Sequence, residues 1–326
     1  MRAVVIREPG GPEVLELRDL PSPEPSRGEV RVRVRATAVN RADLLQRQGR
    51  YPAPPGSPAD VPGLEIAGEV EAVGDGVSEL ARGDRVFGIV GGGGYAEQAV
   101  VHARTLARMP EGMTFTDAAA VPEAFLTAWD AMVDQARLRA GETVLVHAAA
   151  SGIGTAAVQI AAAIGARAVA TVRTVEKVDR VRDLGVARVI VVQEVRFAAE
   201  VLSLTSGRGA DVVLDLVGGT YLGEDLACLS PRGSIVVVGT MAGAQAALDL
   251  GLLMRKRAEI RGTVMRTRPL EEKILAALTL ERHIVPMLSA HAVRPVIDCV
   301  LPLARAADAH RRVESNATFG KVVLEV

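Results

Sequence analysis

Residues 29–36 (EVRVRVRA) alternate strictly, with Val30, Val32, Val34 and Ala36 on one side and Glu29, Arg31, Arg33 and Arg35 on the other. A period of two is that of a strand with one face in the core and one in water. Shorter runs at 3–6, 14–17, 65–73, 85–89 and 95–101 read the same way, separated by Gly74-Asp75-Gly76, by Gly83-Asp84 and by four consecutive glycines at 91–94. The four glycines suit a flexible hairpin or a close approach of backbone to a ligand. Residues 42–48 have a helical pattern. The proline-rich stretch 51–62 that follows must be a loop. Up to about residue 120, the pattern predicts a small, largely antiparallel β domain.

Helical patterns at 116–121 and 125–133 then lead into a different rhythm. An apolar β-branched run (143–146) meets a loop of tiny residues, an alanine-rich helical stretch, Gly165 and a second apolar run (168–172). Strand-like runs at 189–192, 212–216, 235–239 and 259–264 alternate with helical segments, which predicts a doubly wound parallel sheet of six strands. A helix over 269–281, with Glu271 and Glu272 in its first turn, precedes a strand, helix and strand at 294–300, 304–313 and 321–325. Six strands complete a nucleotide sheet, so this tail belongs with the first domain. The fold class is therefore α/β: residues 1–122 and 263–326 form the β domain, and 123–262 form an inserted Rossmann domain. The cleft is expected between them, beside the carboxyl ends of the sheet strands.

The loop after the first Rossmann strand carries the chemistry. Ala149, Ser151 and Gly154 stand at the three positions of a G-x-G-x-x-G fingerprint, and Gly152, Ile153 and Thr155 open the helix. Helix-opening amides facing a loop of minimal side chains form an anion site that fits a pyrophosphate. The bland alternative is a Gly/Ala turn needed only for helix–strand packing. An NAD site usually offers an acid about 20 residues on, to hold the ribose hydroxyl. Here the second strand ends in Arg173 and Thr174, with Lys177 close behind, a set suited to a 2′-phosphate. NADPH is favoured over NADH, unless Arg173 and Lys177 merely form a solvated helix face.

Composition narrows the partners. A formal charge of −1, with no strongly basic block, argues against nucleic acid as the main partner; Arg255-Lys256-Arg257 reads as decoration of an exposed turn. No apolar run reaches the roughly 20 residues of a membrane helix. The two cysteines, Cys228 and Cys299, have neither metal nor disulfide spacing, and the N-terminal residues lack a signal-peptide core, so a reducing cytoplasm is the simplest location. Aromatic residues make up 3% of the chain, so a substrate pocket would have mainly aliphatic walls. The five histidines (102, 147, 283, 291 and 310) are scattered and read as structural or surface residues.

Several separate pieces share an order and spacing with a known superfamily: Ala38 to Asp43, Gly63 to Val70, Val73-Gly74, Gly83 to Val86, His147 to Ala157 and Gly320 to Leu324. Through them the whole chain resembles the medium-chain dehydrogenase/reductases, and within these the zinc-free quinone oxidoreductases that include zeta-crystallin. Residues 121–129, the Ser151 spelling and residues 255–268 look closest to the animal stress-inducible branch and its bacterial relatives. The resemblance implies that the β domain is GroES-like. Zinc-dependent members bind catalytic metal through a Cys three residues before an Asp and a His directly before a Glu. Here Asn40 precedes Asp43 and Leu64 precedes Glu65, so no metal is expected.

The same resemblance places 148–155 on the pyrophosphate and Arg173, Thr174 and Lys177 on the 2′-phosphate. Asp215 to Gly218 and Gly239, Thr240 and Met241 would lie near ribose and nicotinamide, with Phe319, Gly320 and Lys321 as a return loop. Relatives commonly have a Tyr after the third sheet strand, where this chain has Val191-Val192-Gln193. Asn40, Asp43, Tyr51, Glu65 and Thr127 match positions around the vacated metal site. Tyr51 could instead pack on the prolines, and Glu65 could be a buried acid paired with a base. The implied activity is NADPH-dependent reduction of a quinone or related conjugated carbonyl by a homodimer joined through the sixth sheet strand. An enoyl or alkenal double-bond reductase is the alternative enzyme; a non-catalytic NADPH-binding structural or regulatory protein is the alternative of another class.

Overall fold

The structure is a computed structural model and describes residues 1–186 and 188–326. The chain opens with β1 (Arg2–Ile6), β2 (Leu15–Asp19), β3 (Glu29–Val39), α1 (Arg41–Arg47), β4 (Glu65–Val73), β5 (Arg85–Ile89), β6 (Gln98–His102), β7 (Ala107–Arg108), α2 (Phe115–Ala119) and α3 (Pro122–Trp129). The nucleotide sheet follows as β8 (Thr143–Val146), α4 (Gly152–Ala163), β9 (Arg167–Val172), α5 (Val178–Arg182), β10 (Arg188–Val191), α6 (Ala198–Leu204), β11 (Ala210–Asp215), α7 (Tyr221–Cys228), β12 (Leu229–Val237), α8 (Leu250–Lys256) and β13 (Glu259–Gly262). The return consists of α9 (Leu270–Thr279), α10 (Val285–Ser289), β14 (Ile297–Pro302), α11 (Ala306–Glu314) and β15 (Lys321–Glu325). Two compact units result: Met1–Leu126 with Met265–His291 and Pro295–Val326, and Thr127–Val264 with Ala292–Arg294.

In the first unit a mixed sheet has the order β14-β15-β3-β4-β5-β7, and β6 also pairs with β3. The alternating valines of β3 are buried, while Arg31 and Arg33 on the other face reach Glu71 of β4, each at 3.0 Å. Strict alternation ends at Ala36 because β15 pairs with residues 36–39 of β3 and both faces become enclosed. Thr37 turns inward there and donates its hydroxyl to the Glu65 carbonyl at 2.6 Å, which meets the demand of a buried polar group. Val4, Val39, Leu44, Tyr95, Ala309 and Val322 share the core beside this strand.

The second unit is the parallel sheet, order β10-β9-β8-β11-β12-β13. The β-branched residues of its central strands are buried on both faces, as helices on both sides of a parallel sheet require. α4 packs through Ala156, Ala157, Ile160 and Ala161, small enough to bring the helix close to the strands.

Three expectations change. The glycines at 91–94 approach the chain's own 58–63 segment: the Gly93 amide donates to Val61 O at 2.8 Å and the Gly94 amide to Gly63 O at 3.2 Å. Lys256 is no surface decoration, since its ammonium donates to the carbonyls of Ala227 and Leu229 (2.7 and 2.5 Å) at the C-terminal end of α7, and Arg257 closes α8 in the left-handed conformation. The helix read over 125–133 starts earlier, at Pro122, where a missing N–H costs nothing in a first turn, and widens into an i→i+5 turn over Asp130–Gln135.

Candidate functional site

In the nucleotide unit, β8 ends at Val146 and Ala148 takes the left-handed conformation, φ 46°. A non-glycine residue there is uncommon and marks a turn held by its surroundings. The Ala149 amide is spent on Thr171 O of β9 (3.0 Å), and Ser151 caps α4, its Oγ accepting from the Gly154 amide at 3.0 Å. The amides of Gly152 and Ile153 have no protein acceptor among the described residues. They sit at the positive end of a 12-residue helix, which is an anion-binding arrangement. Gly154 is required for packing: a Cβ there would stand 2.4 Å from Ala148 O and 2.5 Å from Ala149 Cα.

Thr155 departs from the expectation. Its side chain is buried and its hydroxyl donates to Gly152 O at 2.9 Å, so it tightens the first helical turn instead of meeting phosphate. At the end of β9, Arg173 and Thr174 are exposed and Lys177 is half-buried. The ends of β11 and β12 come together as the sequence suggests: Asp215 Oδ1 accepts from the Val217 and Gly218 amides, both 2.8 Å, and a Cβ on Gly218 would stand 2.7 Å from Gly239 O. Asp215 Oδ2 is buried without a partner among the described residues. Thr240 and Met241 are exposed just beyond. A free helix terminus, an exposed arginine with a half-buried lysine after the next strand and an orphaned carboxylate oxygen together fit a phosphorylated dinucleotide.

In the first unit, Asn40, Glu65 and Lys321 form one buried cluster. Lys321 Nζ donates to Glu65 Oε1 at 2.6 Å and to Asn40 Oδ1 at 2.5 Å, and lies 3.9 Å from Glu123. Asn40 Nδ2 donates to Glu65 Oε1 at 2.8 Å and to Ala38 O at 3.3 Å, while Glu65 Oε2 accepts the Glu123 amide at 2.9 Å. Burial opposes the Lys321 charge, yet Glu65 and then Glu123 hold its pKa above the usual lysine value.

These contacts change the expectations for Asn40, Asp43, Glu65 and the 319–321 loop. Every side-chain polar atom of Asn40 and Glu65 has a protein partner, and Glu65 is a buried acid paired with a base. Asp43 is fully buried and holds backbone, accepting from the Asn40 and Gly63 amides at 2.8 and 3.0 Å; burial pushes its carboxyl up to about 6 against those amides. Lys321 is committed to Glu65, and Phe319 and Gly320 turn inward with it: Phe319 is buried, and a Cβ on Gly320 would stand 2.1 Å from Val296 O. These three positions are engaged within the first unit.

Two expected hydroxyls remain available. Thr127 Oγ1 is buried without a partner among the described residues. The hydroxyl of half-buried Tyr51 has no protein hydrogen-bond partner among the described residues, and its ring lies under the Arg266 guanidinium, 5.4 Å from centroid to Cζ. Burial raises the Tyr51 pKa, opposed by Arg266 and reinforced by Glu123, so the phenol stays protonated around neutrality. Arg266 was missed by sequence reasoning because nothing sets it apart from the many other arginines. The histidines are structural or at the surface: His147 is buried with Asp225 (2.6 Å) and Thr171 (2.9 Å), His310 is buried between Arg47 and Tyr95, and His283 and His291 are exposed.

A nucleotide sheet unit of this kind and a GroES-like unit in one chain define a medium-chain dehydrogenase/reductase. Residues 26–111 match the family described as alcohol dehydrogenase GroES-like domain, and 152–280 the one described as zinc-binding dehydrogenase. The quinone oxidoreductase of Pseudomonas aeruginosa is 38% identical, covering 97% of this chain and 96% of that protein; the human quinone oxidoreductase is 34% identical, covering 99% and 97%. The crystal structure of Escherichia coli quinone oxidoreductase complexed with NADPH superposes with a TM-score of 0.89 at 29% identity, covering all of both chains. The chain belongs to the quinone oxidoreductase family and is an oxidoreductase.

The zinc in one of those family descriptions does not suit the residues here. Leu64 is an alkyl group, the Asn40 amide is saturated, and Glu65 is neutralised by Lys321. Among the described residues, no group of three His, Cys, Asp or Glu side chains could hold a metal ion. Zinc prefers thiolate and imidazole donors, and this set does not fit it.

Proposed function

We propose that the protein is a zinc-independent, NADPH-dependent quinone oxidoreductase that reduces a quinone or a related conjugated carbonyl, acting as a cytoplasmic homodimer. The observation that carries this reading is the pair of unspent amides at Gly152 and Ile153, followed at the end of β9 by exposed Arg173 and Thr174. Gly152, Ile153 and the Ser151 hydroxyl proton would hold the pyrophosphate, and Arg173, Thr174 and Lys177 the 2′-phosphate. NADPH, when bound, supplies the hydride. With no Lewis acid to polarise it, the acceptor must already be electron-poor, and Tyr51 donates a hydrogen bond to its oxygen.

Two observations support the homodimer. β13 is an edge strand of the nucleotide sheet, and Leu250, Met254 and Val264 next to it are 62%, 75% and 51% exposed; an open edge with apolar neighbours is a surface that a second copy would cover. A cytoplasmic location accords with the absence, among the described residues, of any helix long and apolar enough to cross a membrane. Sedimentation as a monomer at micromolar concentration, or recovery from cells in a membrane or secreted fraction, would remove the corresponding part of the proposal.

A steady-state screen of quinones, enones and alkenals, with product identity and metal content measured together, tests the activity. Hydroquinone formation by metal-free protein is expected. A saturated ketone as sole product would shift the reading to a double-bond reductase; NADPH binding without turnover would make it a binding protein. Replacing Arg173 and Lys177 by Ala should weaken NADPH at least about tenfold relative to NADH, since charge-assisted contacts contribute roughly 1.5–3 kcal/mol each. Equal affinities for both cofactors in the unmodified protein, by calorimetric titration, would rule out the phosphate site.

A further inference from the structure

Three cationic side chains are buried in the first unit: Arg47, Arg266 and Lys321. Arg47 pairs with Glu314, and Lys321 with Glu65. Arg266, only 3% exposed, has no carboxylate within ion-pair distance among the described residues. Its acceptors are neutral and come from three separate segments: Gly91 O at 2.8 Å, the Tyr51 carbonyl at 3.4 Å and Gln46 Oε1 at 2.6 Å. A guanidinium has five N–H donors, so two remain without a protein acceptor. The charged groups that influence it are Asp43, a buried carboxylate that attracts it from beyond ion-pair distance, and Lys273, a cation that opposes it, while the Tyr51 phenol beside it stays neutral. Burying a cation without a counter-ion is costly. The other two buried cations each touch a carboxylate, whereas this one touches none, lies against the ring of the expected hydrogen-bond donor and keeps two N–H groups for something the chain does not itself contain.

We propose that Arg266 is the counter-charge of the acceptor oxygen, stabilising the negative charge that appears there during reduction while Tyr51 donates its hydrogen bond. The inference rests on the quinone reductase reading and deepens it, because it defines the substrate class as acceptors whose reduction passes through an oxyanion. The electron count is simple. The acceptor takes one hydride, two electrons and one proton, from NADPH, which is oxidised to NADP⁺. The acceptor oxygen then holds a negative charge until it takes one proton from the Tyr51 phenol, which recovers it from water. A charge fixed in place beforehand in a water-poor site stabilises such an anion without reorganising.

The test uses a nitrophenol as probe, competing with quinone in the presence of NADP⁺ over a pH range spanning its ionisation. The unmodified enzyme should be inhibited at least ten times more strongly by the phenolate than by the phenol. Arg266→Met should abolish that preference and lower kcat with quinone at least tenfold at unchanged KM for NADPH. Arg266→Lys should retain part of the preference, and Tyr51→Phe should retain it. An unmodified enzyme that turns over quinone but shows no preference for phenolate, or no inhibition, overturns the assignment even if Arg266→Met fails to fold. An enzyme that turns over no quinone overturns the functional reading beneath it.

Discussion

Tyr51→Phe should lower kcat with quinone by about ten- to a thousandfold and leave NADPH affinity where it was. The range corresponds to roughly 1.4–4 kcal/mol of lost transition-state stabilisation, the scale of removing one oxyanion-hole donor. Two observations favour Tyr51 over Asn40, Asp43 and Glu65 among the polar groups expected at the site. Asn40, Asp43 and Glu65 are occupied by Lys321 and by backbone amides, whereas the Tyr51 hydroxyl has no protein partner among the described residues. Arg266 fixes the residue twice, donating to its carbonyl at 3.4 Å and lying over its ring, so the phenol is held although it sits in a proline-rich loop. Because burial raises its pKa, ionisation of the donor should not limit the rate anywhere near neutral pH. Full turnover by Tyr51→Phe with every accepted quinone would end this role and leave catalysis to positioning and to Arg266.

The sequence made the sheet units legible because their signals are local. Strict alternation in β3 and the β-branched runs of β8 and β11 each report the face or faces that a strand buries. The phosphate loop was legible for the same reason, since its small residues, its cap and its helix lie within about a dozen positions. The polar cluster was not. Asn40, Glu65 and Lys321 are separated by up to 281 positions, and only the pairing of β15 with β3 brings them together. A spacing rule can mark Asn40 and Glu65 as positions next to a lost metal site, but it cannot reveal that an ammonium from the far end of the chain has already claimed both. Arg266 escaped for a related reason, because what distinguishes it is the absence of a carboxylate around it in space. The role of Thr155 was misread because a threonine hydroxyl can turn back on its own helix as easily as outward.

Lys321→Met should cost about 3–5 kcal/mol of stability at pH 7.5, more than any other single change considered above. The methionine fills most of the volume, so the loss is electrostatic: Glu65 is fully buried and would keep only two donors, Asn40 Nδ2 and the Glu123 amide, and breaking a buried pair from one side leaves an uncompensated charge. At roughly 2–4 °C per kcal/mol for a protein of this size, the thermal midpoint should fall by about 6–20 °C. The pH dependence fixes the cause. In the variant, a carboxylate buried without a cation destabilises the fold only when it is charged, so the penalty grows as pH rises out of the acid range. The deficit should therefore be small near pH 4.5 and full above neutrality. In the unmodified protein the raised pKa of Lys321 gives the opposite behaviour: its contribution is complete below the unfolded lysine value and fades only at strongly alkaline pH. Adding Glu65→Gln to Lys321→Met removes the stranded charge while its amide oxygen still accepts from Asn40, and should recover all but about 1–2 kcal/mol. Unfolding curves of the two single variants and the double variant, measured at pH 4.5 and 7.5, complete the cycle. If Lys321→Met loses less than about 1 kcal/mol at the higher pH, or if the double variant is no more stable than the single, the buried pair is not what holds this cluster.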